Sequence, residues 1–183
     1  ELDVSLQKER TCEQYRQAMQ NMLHDAKRMT RLIDGLLNLA KADYCKQEIS
    51  MRDVRLDELL LDVRQLILRA HPDYFIQLLF TNNDDDDDRL ITTLGNPYLL
   101  NIAFANLIEN NCKYSANRSS IVQISFHNRW SVVRMSDNGC GMSAEDRQQL
   151  FTLFYRGAKE NTIEGHGIGM TLAHKIVKLH GGN

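Results

Sequence analysis

A seven-residue hydrophobic repeat near the start of the chain is the feature that most restricts its fold. Apolar side chains recur in alternating steps of four and three at Tyr15, Met19, Met22, Ala26, Met29, Ile33, Leu36 and Ala40. This spacing predicts a long helix with a continuous apolar seam. Four further leucines widen the seam: Leu23, Leu32, Leu37 and Leu39. A stripe of that width favours packing within a bundle of several helices.

This helix has a predicted start and a predicted partner. Thr11 and Gln14 fit a capping box that begins the helix. Leu2 and Leu6 lie four residues apart, as in the last turns of a preceding helix, and a polar turn would join the two helices into an antiparallel hairpin. We therefore expect residues 1–45 to be part of a helical hairpin, and we expect the chain to begin within a longer protein.

From residue 46 onward the periodicity changes to that of a mixed fold. The pattern predicts a strand near 49–54, a helix over 56–71 stopped by Pro72, strands at 74–81 and 90–94, a helix at 96–115, a hairpin of strands at 121–126 and 130–135, a short helix capped by Ser143, and a final helix from 168. This order predicts an α+β, two-layer α/β sandwich with helices stacked on one mixed or antiparallel sheet. The aspartates of residues 84–88 are expected in a solvated loop rather than a metal site.

Composition excludes several classes of protein. The formal net charge of -2 gives no electrostatic case for nucleic-acid binding. Four cysteines, at positions 12, 45, 112 and 140, form no CxxC pair, so we expect reduced thiols in a cytoplasmic protein rather than a disulfide framework or structural zinc. The chain contains no apolar run of the roughly 20 residues that a membrane span needs and no signal-peptide pattern at its start.

The predicted helix at 96–115 carries the first candidate site. Asn106, Asn110 and Lys113 recur in steps of four and three, so they share one face. Amide oxygens are hard ligands suited to Mg²⁺, and an ammonium group neutralises phosphate charge, so this face could hold a metal-bound triphosphate. The spacing alone equally fits a helix whose polar face meets water.

Two glycine-containing segments carry further candidates. Asp137-Asn-Gly139-Cys-Gly141 directly follows a predicted strand, where a buried carboxylate pointing inward could accept a hydrogen bond from an amine such as that of adenine. Taken alone, the same segment is also an ordinary turn. The alternate glycines Gly165, Gly167 and Gly169 open the last predicted helix, where free N–H groups and the helix dipole favour an anion. No P-loop sequence is present, and the dinucleotide fingerprint does not fit because no strand immediately precedes these glycines.

An aromatic segment, residues 150–157, lies between the two glycine segments. It contains Phe151, Phe154, Tyr155 and Arg156. We expect the aromatic rings to pack as a small core that anchors the following loop, with Arg156 facing outward.

In order and spacing, these four segments resemble the N, G1, F and G2 boxes of histidine kinases, a branch of the gyrase, Hsp90 and MutL-like ATPase superfamily with the Bergerat-type ATP-binding fold. Residues 11–43 are similar to the second helix of the dimerisation hairpin in that family, and residues 46–183 to its catalytic domain. The resemblance therefore covers nearly the whole chain.

The resemblance implies ATP and Mg²⁺ as cofactors and gives each residue a role. It makes Asn110 the Mg²⁺ ligand assisted by Asn106, brings Lys113 and Arg156 to the phosphates, and lays Tyr114 against the adenine. The cofactor-binding set is completed by Asp137, Gly139, Gly141, Met142, Gly165, His166, Gly167, Ile168, Gly169 and Met170. In this assignment Asp137 binds the adenine amine, and Gly139 and Gly141 shape the base pocket. Gly165, Gly167 and Gly169 wrap the phosphates beneath a lid at 157–164. His166 either contacts phosphate or only fills the loop.

The implied reaction moves the γ-phosphoryl group of ATP to a histidine on the hairpin and then to an aspartate of a response regulator. Partners would be a second copy, bound through the hairpin, and the receiver domain of that regulator. The family's His-Glu-x-x-x-Pro sequence is absent from these residues. We therefore expect the chain to bind ATP without phosphorylating itself, to be cytoplasmic, to continue past its last residue, and to reach a membrane only through other parts of its parent.

Two alternatives remain at this point. A hydrolytic ATPase of the same superfamily has a glutamate where Asn106 stands, and Glu109 lies on a different face of the helix. A non-catalytic nucleotide-sensing module would use the hairpin only to dimerise. The chain also departs from the family pattern at Asn111, where a small residue is usual.

Overall fold

The computed structural model describes residues 50–80, 92–127, 130–155 and 167–183, together with Thr11, Tyr15, Arg16, Met19, Met22 and Leu37; Phe126 and His127 are described by their backbone. In chain order the elements are β1 (Arg52–Arg55), α1 (Leu56–Ala70), β2 (Phe75–Phe80), β3 (Thr92–Gly95), α2 (Pro97–Tyr114), β4 (Ser119–His127), β5 (Trp130–Ser136), α3 (Ala144–Gln149) and α4 (Gly169–Leu179). Every element predicted from residue 49 onward is present.

Other predictions lie wholly or partly outside the described residues. Near the start of the chain, the five described positions from Tyr15 to Leu37 have a helical backbone, as the heptad pattern predicts. The hairpin as a whole, the aspartate run at 84–88, and Arg156, Gly165 and His166 lie outside the described part.

The described strands form two sheets, whereas the sequence predicted one. β1 pairs with β3 antiparallel, with Arg52 opposite Gly95. β2 runs parallel to β4, and β4 runs antiparallel to β5, which confirms the predicted hairpin at 121–126 and 130–135. β1 leads directly into α1 and β3 into α2, and because the two strands are antiparallel these helices start at opposite ends of the strand pair.

The main core lies between α1, α2 and one face of the three-stranded sheet. Side chains alternate across each strand, so Ile76, Val122 and Ile124 point toward the helices and are buried. The helices contribute Leu56, Leu59, Leu60, Val63, Ile67, Leu100, Phe104, Ile108 and Cys112 to the same cluster. Each buried aliphatic side chain stabilises the fold by about 1.5–3 kcal/mol relative to exposure.

A second apolar cluster joins α2 to α4. It consists of Leu99, Ala103, Ile168, Leu172, Ala173 and Ile176. α2 therefore packs on the sheet with one side and on α4 with another, which leaves its remaining face available for polar side chains.

The start of α2 is held at the end of α4. The Asn96 side chain accepts a hydrogen bond from the Leu99 N–H at 3.0 Å, and Pro97 occupies the first helical turn, as predicted. The Asn96 N–H donates to His180 Nε2 at 3.0 Å, and His180 Nδ1 is 2.7 Å from the Ile176 carbonyl oxygen. Because Nε2 accepts here, Nδ1 carries the proton and donates to Ile176. The last turn of α4 thus lies against the first turn of α2, and the two helices run antiparallel.

Candidate functional site

The end of α2 lies against the turn that follows β5. Ser115 and Gly139 form an isolated antiparallel bridge. A Cβ built on Gly139 would lie 2.4 Å from the Tyr114 carbonyl oxygen and 2.8 Å from Asp137 Oδ1. Only glycine fits at this position, because its missing side chain lets the two backbones approach this closely. Tyr114 and the turn, which the sequence assigned to one base pocket, are therefore adjacent.

Asp137 is organised by the same turn. Its Oδ1 accepts a hydrogen bond from the Gly139 N–H at 2.7 Å, which closes an Asx turn. The side chain is exposed, so the expectation of a buried carboxylate is wrong. Asp137 is exposed because it follows β5, and β5 pairs with no strand other than β4 among the described strands. Within the described residues Oδ2 makes no hydrogen bond, so it can accept one from a ligand. Gly141 (φ +69°) and the exposed Met142 continue the turn at the surface.

The polar face of α2 meets the start of α4 at Asn106. This side chain is half-buried, and its Nδ2 donates to the Ile102 carbonyl at 2.8 Å. A Cβ built on Gly169 would lie 2.6 Å from Asn106 Oδ1. The structure therefore places Asn106 beside Gly169, as expected for two residues predicted to belong to the same nucleotide-binding site. Asn110 is half-buried one turn further along α2.

The first turn of α4 offers backbone N–H groups. Ile168 occupies the N-cap position and provides no side-chain hydrogen bond, and Gly169 and Met170 begin the helix. Uncapped N–H groups at a helix start, together with the helix dipole, favour an anion. The side chain of Ile168 itself is buried in the cluster between α2 and α4, so it anchors this turn by packing.

The aromatic segment is attached to this turn through its backbone. Phe154 N–H donates to the Gly167 carbonyl at 2.9 Å, and Thr171 Oγ1 donates to the Phe151 carbonyl at 3.1 Å. Gly167 has φ +66°, and a Cβ there would lie 2.6 Å from Phe154 C and from Tyr155 O. The segment and the glycine turn thus form one unit.

The expected aromatic core in this segment is not formed. Phe151 and Phe154 are 46% and 55% exposed. Phe154 has φ +64°, a left-handed backbone that a bulky residue seldom adopts, and the Phe151 ring stacks on His174 at 4.2 Å between centroids. The anchoring comes from the backbone hydrogen bonds and not from buried rings.

Charged groups around α2 separate into two sides. The Lys113 ammonium lies 5.9 Å from the centroid of the Tyr114 ring. Burial, together with the nearby Glu109 carboxylate, raises the pKa of Cys112 to about 11. Burial also raises the pKa of Tyr74, with Cys112 and Glu109 as additional causes. Glu109 therefore acts on the Tyr74 side of α2, while Asn106 faces Gly169, in agreement with the predicted separation of these two side chains.

The residues of the candidate site lie in a strip along α2, from Asn106 to Tyr114. One end touches the Asp137–Gly139 turn at Tyr114, and the other meets the α4 start at Asn106. Eight residues separate these ends, or about 12 Å along the helix axis. An elongated ligand with a flat polar ring at one end and an anionic group at the other fits such a strip.

Sequence reasoning missed two polar residues in this region. Ser115, buried immediately after α2, contacts Asn138 in the turn through its hydroxyl. Ser115 gave no periodic signal at the end of the predicted helix, and the two residues are 23 positions apart.

Neither a metal-binding cluster nor a membrane-spanning helix occurs among the described residues. In that part of the chain no group of three or more His, Cys, Asp or Glu side chains is placed to hold a metal ion. None of its helices has both the length and the apolar character needed to cross a bilayer.

Comparison with known proteins identifies the relatives of this chain. Residues 95–183 match the family model described as "Histidine kinase-, DNA gyrase B-, and HSP90-like ATPase". The sensor protein QseC of Salmonella typhi is 32% identical over 158 residues, which are 84% of this chain and 32% of that protein. The chain thus spans about a third of the length of the curated relatives it matches.

Solved structures agree on the fold. The crystal structure of full-length ShkA in complex with AMPPNP matches with a TM-score of 0.71 at 20% identity, covering 95% of this chain and 35% of that one. The mycobacterial sensor histidine kinase MprB matches with a TM-score of 0.59 at 19% identity, covering 72% of this chain and 81% of that one. The predicted two-layer α+β fold is confirmed.

Proposed function

Residues 95–183 belong to the family of histidine kinase-, DNA gyrase B- and HSP90-like ATPases, and from that premise we propose that this chain is the ATP-binding catalytic region of a two-component sensor histidine kinase. The proposed reaction transfers the γ-phosphoryl group of ATP to a histidine and from there to an aspartate of a response regulator. The single observation that carries the proposal is the strip along α2, where the acidic turn and the glycine-opened helix meet one helix face.

The residues present fit a nucleotide. Backbone contacts at Gly139 and Gly167, and the Asn106 side chain at Gly169, fill the space that a Cβ would take, so these glycines let the turn, the aromatic segment and the start of α4 pack closely around the strip. Asp137 Oδ2 can accept a hydrogen bond from the adenine amine. The uncapped start of α4 can bind phosphate oxygens.

We assign the remaining roles from the resemblance to histidine kinases. Bound ATP supplies the phosphoryl group, and bound Mg²⁺ neutralises its charge. Asn110 is the proposed Mg²⁺ ligand with Asn106 beside it, because amide oxygens suit a hard cation. Lys113 and Arg156 bind phosphates, and Tyr114 lies against the base. Gly141, Met142, Gly165, His166, Ile168 and Met170 complete the proposed binding set.

Kinase chemistry fits this site better than hydrolysis does. Activating a water molecule requires a base, and the amide of Asn106 cannot accept that proton. Glu109 influences Tyr74 and Cys112 on another side of α2, away from Gly169. We therefore expect slow hydrolysis of ATP.

The phosphoacceptor and the partners are further parts of the proposal. None of the six histidines in the chain is followed by Glu-x-x-x-Pro, so the 183-residue chain should not label itself with phosphate from ATP. Dimerisation through residues 1–45, the receiver domain of a response regulator as partner, and a cytoplasmic location follow from the proposed function. A nucleotide-sensing scaffold is favoured instead if ATP binds but no histidine on a supplied hairpin is phosphorylated.

Calorimetric titration of ATP, with and without Mg²⁺, tests the proposal. We expect micromolar binding, about -8 kcal/mol, weakened in Asp137→Asn and Asn110→Ala, with the magnesium dependence reduced chiefly in Asn110→Ala. Asp73→Asn is the matched control, because Asp73 is an exposed aspartate that pairs with Arg118 outside the strip. Unchanged affinity in both site variants would refute the assigned site.

A further inference from the structure

A polar cluster lies where α2 ends and the turn after β5 begins. It contains Ser115, Asn117, Ser119 and Asn138. The Ser119 N–H donates to Ser115 Oγ at 3.2 Å, and Ser119 Oγ donates to Asn117 Oδ1 at 2.5 Å. Ser115 Oγ lies 2.8 Å from Asn117 Oδ1 and in close contact with Asn138 Oδ1. Ser115 is only 7% exposed, so its own contacts are partly sheltered from water, although Asn117 and Asn138 are exposed.

Counting protons shows where the Ser115 hydroxyl points. A serine hydroxyl has one proton to donate and two lone pairs to accept with. Asn117 Oδ1 already receives the Ser119 hydroxyl, whereas Asn138 Oδ1 has no other donor among the described residues. Asn117 Oδ1 can accept a second hydrogen bond, but the contact of Ser115 Oγ with Asn138 Oδ1 is the shorter of the two, so we assign the Ser115 proton to Asn138. Ser115 accepts from the Ser119 N–H.

This hydrogen bond ties α2 to the turn that carries Asp137. Asn138 lies between Asp137 and Gly139, and the bridge between Ser115 and Gly139 adds a second attachment. Asp137 Oδ1 is held by the Gly139 N–H at 2.7 Å. The direction of the other carboxylate oxygen therefore depends on the placement of the turn, and the turn is placed by Ser115 and Asn138.

We propose that Ser115 and Asn138 are positioning residues that aim the Asp137 carboxylate at the base of the bound nucleotide and so set the preference for adenine. This inference rests on the proposed function. It assigns a specific task to two residues that would not themselves touch the ligand. Loss of either side chain removes one of the two attachments of the turn and leaves only the backbone bridge between Ser115 and Gly139, while the phosphate end of the strip, at Asn106 and Gly169, stays in place.

The test compares two nucleotides on the full 183-residue chain. ATP and purine riboside triphosphate, which lacks the 6-amino group, are titrated by calorimetry against native protein, Ser115→Ala, Asn138→Ala and Asp137→Asn. In the two positioning variants we expect ATP to bind about tenfold more weakly, as for a misplaced hydrogen bond to a charged group. The analogue should bind as it does to native protein, so the ratio of affinities falls toward that of Asp137→Asn.

Two further variants separate positioning from general stability. Ser115→Thr keeps the hydroxyl and should retain the native ratio. Asn117→Ala perturbs the same cluster without removing the link to the turn, and should also retain it. Thermal melts of all variants show whether any loss follows unfolding.

The outcomes distinguish the two proposals. If native protein prefers ATP and both alanine variants keep that preference, or lose affinity for both nucleotides equally, the positioning role is wrong and the proposed function stands. If native protein binds neither nucleotide, or binds them equally, the proposed adenine recognition fails and the positioning role fails with it.

Discussion

Replacing Gly139 with alanine tests the close approach at the centre of the site. The added Cβ would lie 2.4 Å from the Tyr114 carbonyl oxygen, a distance that must open to at least 3.0 Å. The nearest obstacle is the Tyr114 backbone, which cannot swing aside as a side chain can, and the second is the Asp137 carboxylate at 2.8 Å. Overpacking of this kind costs about 1–3 kcal/mol of unfolding free energy.

The same displacement should weaken nucleotide binding. A hydrogen bond to a charged group contributes about 1.5–3 kcal/mol, and moving the turn removes a large part of it. We therefore expect Gly139→Ala to raise the dissociation constant for ATP about tenfold or more. Urea denaturation measures the stability, and calorimetry at a temperature where the variant is fully folded measures the affinity.

Gly181→Ala is the control for a glycine substitution outside the site. Gly181 has φ +77° and nothing within 4 Å of a built Cβ, so alanine there meets only the left-handed backbone penalty of about 1–2 kcal/mol. Its affinity for ATP should stay within about twofold of native. The reasoning is refuted if folded Gly139→Ala binds ATP as tightly as native protein, or if Gly181→Ala loses as much affinity.

Three further predictions concern titrating groups. Iodoacetamide at neutral pH should modify the exposed Cys140 and spare Cys112, which is buried and whose pKa burial raises to about 11; peptide mass mapping identifies the modified site. Because the pKa of Cys112 in the folded protein exceeds the ordinary value of 9.0, its contribution to stability is complete below pH 9 and is lost as the pH rises toward 11. The variant Cys112→Ala should therefore lose less stability over this pH range than native protein does. Arg118 holds the pKa of Asp73 below its ordinary value of 3.8, so the contribution of this pair is present above that pH and is lost as the pH falls through the lowered pKa. Asp73→Asn should be less stable than native protein at pH 7 and equally stable at the most acidic pH; an equal difference at both would contradict this.

The helices and the β4–β5 hairpin could be predicted because their signals are local. Asn96 and Pro97 marked the start of α2, and apolar periodicity gave α1 and α4. The parallel pairing of β2 with β4 could not be predicted, because α2 separates them in sequence and their register depends on packing against it. The division of the strands into two sheets was missed for the same reason.

In the site, residue types and spacing located the strip but not its details. Helical periodicity correctly placed Asn106 and Glu109 on different sides of α2. The exposure of Asp137 was missed, because it depends on whether a strand lies beside β5. The link between Ser115 and Asn138 was missed because it arises only from the approach of two segments distant in sequence, an approach that Gly139 permits.

Backbone amide NMR of the full chain, recorded during titration with ATP and Mg²⁺, tests the central claim most directly. The account predicts saturable shifts at three places: the turn at 137–141, the start of α4 at 167–170, and the polar face of α2 between Asn106 and Tyr114. Amides of β1 and of the outer face of α1 should remain unshifted. Absence of saturable shifts from folded protein, or shifts that avoid both the turn and the start of α4, would contradict it.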